Sequence, residues 1–139
     1  MAIEPDTRDL VFAIADEADL IHVRQVLRAE AEDTGLGLVD QTKLVTAGSE
    51  LARNILTYAT GSRGAFSVER VQHNLRHGVQ ATFSDEGPGI PDLEAALTDG
   101  FSTGGSLGLG LPGSRRLVDE MTIESNGGGT TVVIVKWTR

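Results

Sequence analysis

Cysteine is absent from the chain, which excludes disulfides, thiolate zinc sites and thiol nucleophiles and suits a reducing, cytoplasmic setting. Long apolar runs are missing too: charge interrupts each stretch before the roughly 18 residues that a membrane-crossing helix needs. The opening Met1-Ala2-Ile3-Glu4-Pro5-Asp6 has no basic region followed by an apolar one, so neither export nor a membrane partner is expected. Positive charge is scarce. Twelve Lys and Arg against 20 Asp and Glu leave a formal net charge of −8, whereas a nucleic-acid backbone calls for a clustered cationic surface. A P-loop of the form G-x-x-x-x-G-K-[ST] is lacking. His22, His73 and His77 share no motif and none lies in a phosphoacceptor helix, which speaks against a histidine kinase.

What is present fits one soluble globular domain spanning residues 1–139, with 40% hydrophobic and 23% charged residues. Seventeen glycines exceed ordinary composition, and all but three lie from Gly61 onward. Arg8 to Ala15 reads as a strand, and Leu20, Val23, Val26, Leu27 and Ala31 recur at helical spacing up to Gly35. A second helix is expected from an N-cap at Asp40 through Leu44, Ala47, Leu51, Ile55 and Tyr58 to a stop at Gly61. Ala65 to Leu75 and Val79 to Ser84 form an antiparallel hairpin across a turn at Asn74 to Gly78. Pro91-Asp92 opens a short helix over Leu93, Ala96 and Leu97, and Phe101 to Gly110 is a loop. A helix from Leu111 to Glu120 follows, then a closing hairpin of Met121–Ser125 and Thr130–Trp137, with Trp137 covering the core. This order favours an α+β sandwich, a mixed sheet covered on one side by helices.

Three motifs carry chemistry. Glu50 and Asn54 lie four residues apart in the second helix, so they share a face one turn apart and can address one metal-phosphate group. Asp85-Glu86-Gly87-Pro88-Gly89-Ile90 stands at a strand end, and Gly104-Gly105-Ser106-Leu107-Gly108-Leu109-Gly110-Leu111 precedes a helix. Such glycine-rich turns bring backbone N–H groups to phosphates without side chains in the way. Gly108, Gly110 and Gly113 also spell G-x-G-x-x-G, but a Ser/Gly loop rather than a strand precedes them and only 26 residues follow. A dinucleotide-binding βαβ unit needs about 30 residues and a strand before the glycines.

From Leu44 to Val133 the set resembles, in order, the GHKL ATP-binding (Bergerat) fold of gyrase, histidine kinases and MutL. The resemblance implies a two-layer sandwich with a mixed, mainly antiparallel sheet covered on one face by helices. Thr46 to Asn54, Asp85 to Asp92 and Asp99 to Gly113 look most like RsbT-type serine/threonine switch kinases, which are related to anti-sigma-factor kinases of the RsbW and SpoIIAB type. It implies that Asp85 accepts a hydrogen bond from the adenine amino group while Thr130 holds a water against a ring nitrogen. Gly87, Gly89 and Ile90 would border the base. Gly104, Gly105, Leu107, Gly108, Leu109, Gly110 and Leu111 would wrap the phosphates as a lid. Asn54 would ligate Mg²⁺, and Glu50 would act as the general base. Arg53 could touch phosphate or a partner, and Arg115 and Arg116 could add charge near the phosphates or face solvent.

The function so implied is ATP- and Mg²⁺-dependent phosphorylation of a small STAS-domain antagonist in a bacterial partner-switching, stressosome-like stress response. The freed kinase would then bind another target such as a PP2C-type phosphatase. Two alternatives stay open. One is an anti-sigma factor that sequesters a sigma subunit and phosphorylates its anti-anti-sigma factor; the other is a protein in which ATP is only a structural clamp.

Overall fold

The computed structural model describes residues 10–58, 64–86, 111–126 and 128–139. The chain forms β1 (Leu10–Ile14), α1 (Glu17–Thr34), α2 (Leu38–Tyr58), β2 (Gly64–His73), β3 (Arg76–Asp85), α3 (Leu111–Leu117), β4 (Glu120–Asn126) and β5 (Gly129–Trp137). The five strands make one sheet in the order β1-β2-β3-β5-β4, and each described pairing is antiparallel. The α+β sandwich expected from the sequence is what forms, with the helices on one face.

Each helix has local reasons for its limits. Asp16 caps α1: its carboxylate accepts from the Asp19 N–H at 3.2 Å while the Asp19 carboxylate accepts from the Asp16 N–H at 3.1 Å, a reciprocal capping box. At the other end Gly35 takes a left-handed φ of 103°, and the Leu36 N–H donates to the Ala31 carbonyl at 2.9 Å. That closure uses up carbonyls which the helix itself leaves unpaired, and it turns Leu36 into the core. The second helix starts at Leu38, two residues before the expected cap. Asp40 lies inside its first turn and pairs instead with Lys136 and Arg139.

Period-two alternation sends one side of each strand to the helices. Phe12, Phe66, Phe83, Val132 and Ile123 stand in register across all five strands. The Phe12 and Phe66 rings stack at 6.0 Å, and those of Phe66 and Phe83 lie at 5.1 Å. Fully burying a side chain of this size contributes about 1.5–3 kcal/mol. Leu20, Val23, Leu27, Leu44, Ala47, Leu51 and Ile55 close over this row from the helices. Gly48 marks a close approach of α2 to its neighbours: a Cβ there would run into Leu27 and lie 3.2 Å from the Phe83 ring.

Two further boundaries shift, and one residue changes face. The β2–β3 turn is two residues long, with Asn74 and Leu75 both at positive φ (49° and 67°) and His73 paired to Arg76. Those angles define the tight turn whose twist matches that of its strands, so the ladder begins before Gly78. Helix α3 stops at Leu117, because β4 already starts at Glu120. Trp137 lies on the face away from the helices, packed over Gly78, where a Cβ would come within 2.6 Å of its ring. The Glu120 carboxylate accepts its indole N–H at 2.7 Å. Trp137 therefore covers the outer face rather than the core.

Candidate functional site

One row beyond the phenylalanines, Ile14, Gly64, Asp85, Thr130 and Ser125 align across all five strands. Since the phenylalanine row faces the helices and Asp85 lies two residues past Phe83, the Asp85 side chain belongs to that face as well. It sits at the last position of β3, half-buried, with Gly64 on one flank and Thr130 on the other. Gly64 also meets α2 closely, since a Cβ there would strike Ile55. The Ser125 and Thr130 hydroxyl oxygens are 3.0 Å apart, within hydrogen-bond distance. A carboxylate and two coupled hydroxyls thus stand side by side at the end of an otherwise apolar sheet face.

Glu50 and Asn54 fall in the C-terminal half of α2, the half that leads toward the start of β2. Leu51, Ala52 and Ile55 are buried, Asn54 is half-buried and Glu50 is exposed. One turn of helix separates their Cα atoms by about 6 Å along the axis. The Ser49 hydroxyl next to Glu50 accepts from the Arg24 side chain at 2.8 Å, tying this stretch to α1. Helix α3 packs on α2 through buried Leu111 and Ser114. Of the expected lid, Leu111 is therefore a core residue of α3. Arg53, Arg115 and Arg116 are exposed. Gly87, Gly89, Ile90, Gly104, Gly105, Leu107, Gly108, Leu109 and Gly110 lie outside the described residues, as does the helix expected after Pro91.

A groove of about 620 Å³ opens at the same end of the sheet, lined by Phe12, Ile14, Gly64, Asp85 and Glu86, and it reaches round to Val11 and Ser84 on the outer face. Its walls come from β1, β2 and the end of β3, so it takes in Ile14, Gly64 and Asp85 of that row and stops short of Thr130 and Ser125. Among the described residues, no three His, Asp or Glu side chains gather as a cation site, and no helix is long and apolar enough to cross a membrane.

A second polar cluster lies some 20 Å away along the strands. The Lys136 ammonium, only 3% exposed, is 3.5 Å from Asp40 and 3.9 Å from Asp119, and Arg139 bridges the same two carboxylates at 3.4 and 2.7 Å. Burial pulls the Asp119 carboxyl upward, but the Trp137 N–H, the Arg139 guanidinium and the Lys136 charge outweigh it and hold it below the ordinary carboxylate value. Arg139 is correspondingly raised, chiefly by its bond to Asp119. This cluster anchors the end of β5 to the start of α2.

Reading motifs alone overlooked Ser125 and Gly129. The signal for Ser125 was the alternation within β4, which puts Met121, Ile123 and Ser125 on the face of Thr130, Val132 and Ile134 once the hairpin register is known.

The family of histidine kinase-like ATPase domains matches residues 13–136. The chain is 45% identical over 127 residues to the serine/threonine-protein kinase RsbT of Bacillus subtilis, covering 91% of this chain and 94% of that one. It is 32% identical over 99 residues to the anti-sigma F factor of Bacillus licheniformis, covering 68% of each. Among solved structures, the histidine kinase domain of a blue-light-activated kinase from Erythrobacter litoralis superposes with a TM-score of 0.51 at 21% identity. That match covers 84% of this chain and 63% of the other, and it speaks to the fold alone.

Proposed function

The chain belongs to the histidine kinase-like ATPase family and, within it, to the RsbT-type serine/threonine kinases; on that premise we propose that it transfers the γ-phosphoryl group of ATP to a hydroxyl of a small STAS-domain protein. The observation that carries this reading is the alignment of Asp85 with Thr130 at the mouth of the sheet, with Glu50 and Asn54 on the helix layer over the same face.

The chemistry follows from the groups present. The Asp85 carboxylate is an acceptor for the exocyclic amino group of adenine, and the Thr130 hydroxyl, directly or through a water, addresses a ring nitrogen. Guanine offers the reverse pattern on that edge. The glycines of 87–89 and 104–110 are the natural wrap for base and phosphates. Magnesium needs few protein donors when phosphates and water complete its shell, and the half-buried Asn54 carboxamide is a donor of that kind. When bound, the ion would neutralise charge on the phosphates. Glu50, one turn away and exposed, would take the proton of the attacking hydroxyl. Catalysis would otherwise rest on positioning, as is general for phosphoryl transfer.

In this reading the enzyme works in partner switching. Phosphorylation releases the STAS antagonist, and the freed kinase engages a second protein such as a PP2C-type phosphatase in a stressosome-like cascade. Likeness to an anti-sigma F factor supports one alternative, sequestration of a sigma subunit with kinase activity toward its antagonist. The test is transfer of label from γ-labelled ATP, with magnesium, to a STAS-domain protein from the same genome. Acid-stable, base-labile phosphate on that protein is expected. Capture of a sigma factor, rather than of a STAS-domain protein or a phosphatase, selects the alternative.

A further inference from the structure

We infer that Ser125 is a positioning residue for base selection: its hydroxyl fixes which way the Thr130 hydroxyl points and so makes the site read adenine. The inference rests on the nucleotide reading above and refines it. The two oxygens are 3.0 Å apart on paired residues, Ser125 in β4 and Thr130 in β5, and both side chains are half-buried on the helix-facing side. Asp85 is the next residue in the row.

A threonine hydroxyl has one hydrogen to give and two lone pairs to offer. Left to rotate, it can meet an acceptor or a donor equally well, and it cannot discriminate between bases. Adenine presents an amino donor beside a ring-nitrogen acceptor; guanine presents a carbonyl acceptor beside an N–H donor. The Asp85 carboxylate satisfies the first half of the adenine pattern only. For the second half the neighbouring hydroxyl must donate. When the Ser125 O–H donates to the Thr130 oxygen, it occupies a Thr130 lone pair and leaves the Thr130 hydrogen to point at the base or its water. The opposite orientation would turn Thr130 into an acceptor next to another acceptor, Asp85, which the carboxylate charge disfavours. The hydrogen-bond chain therefore runs Ser125 to Thr130 to base, and Ser125 sets its polarity without touching the ligand. Gly129 holds the row in place, since its backbone lies against Asp85 too closely to admit a Cβ.

The test is calorimetric titration of Mg-ATP and Mg-GTP into the whole protein and its Ser125→Ala, Ser125→Thr and Ser125→Cys variants, with thermal melting of each. Ser125→Ala is expected to lower the ratio of ATP to GTP affinity about three- to tenfold, the worth of one hydrogen bond. Ser125→Thr, which keeps the hydroxyl, restores the ratio, and Ser125→Cys, a weak donor, falls between. An unchanged ratio in Ser125→Ala, or equal weakening toward both nucleotides, overturns the inference while leaving the ATP site standing. Should Ser125→Ala fail to fold, the cysteine variant decides alone by the same ratio. Wild-type protein that binds neither nucleotide overturns the site and this inference together.

Discussion

Gly129 lies against the backbone carbonyl of Asp85 with a φ of 145°, so close that a Cβ would overlap that oxygen and approach the Glu86 Cα to 3.1 Å. The contact sits where β3 and β5 meet at the mouth of the sheet, next to the Asp85–Thr130 pair. A side chain there is refused twice, by backbone conformation and by space.

Gly129→Ala should therefore cost about 1–3 kcal/mol of stability. It should also weaken ATP more than its effect on folding explains, since relief of the clash displaces Asp85. Thermal melting paired with nucleotide titration separates the two effects. An alanine variant with native stability and native affinity would contradict the close approach.

Glu50 is exposed on α2 and its side chain is not needed by the core. Glu50→Ala should leave the melting temperature and ATP affinity close to those of the wild type and lower phosphoryl transfer to the partner at least a hundredfold, within the usual range for losing a general base. Equal transfer by both proteins would remove Glu50 from catalysis. Binding without transfer even in the wild type would favour the nucleotide as a structural clamp.

Gly48 pits helix propensity against packing. An alanine in an open helical position gains about 1 kcal/mol over glycine, whereas a Cβ at Gly48 runs into Leu27 and crowds Phe83. Overpacking of this kind costs about 1–3 kcal/mol. Gly48→Ala is expected to lower the denaturant midpoint; a rise would show that α1 and β3 yield at no cost.

The buried Lys136 cluster predicts an acid limb in stability. Asp119 is held below its unfolded value by the Trp137 N–H, Arg139 and Lys136 despite burial. Its contribution is present above the ordinary carboxylate range and is lost as pH falls through the folded value. Asp119→Asn should flatten that limb, read from urea midpoints between neutral and strongly acidic pH. Lys136→Met leaves Asp40 and Asp119 facing each other with Arg139 alone between them, and should cost about 3 kcal/mol at neutral pH.

Much of this molecule was legible before any coordinates. The 3.6-residue stripe of Leu20, Val23, Leu27 and Ala31 gave α1, and period-two alternation gave the β2–β3 and β4–β5 hairpins, because burial on one face imposes those periods. The four-residue spacing of Glu50 and Asn54 placed both on one helix. Four things escaped. Asp40 looks like a cap from sequence, but its carboxylate is claimed by Lys136, almost a hundred residues on. Leu75 at positive φ is not a residue that announces a tight turn. Trp137 reads as a core residue until register sends it to the outer face. Ser125 shares the reason: its partner is set by strand pairing rather than by spacing along the chain.

The most direct measurement is calorimetric titration of ATP, with excess magnesium, into the wild-type protein and into Asp85→Asn. Saturable binding by the wild type, weakened at least tenfold when the carboxylate acceptor becomes an amide, is the predicted result. Wild-type protein that takes up no ATP, or an Asp85→Asn variant that binds it as tightly, would contradict a nucleotide site built on the Asp85–Thr130 pair.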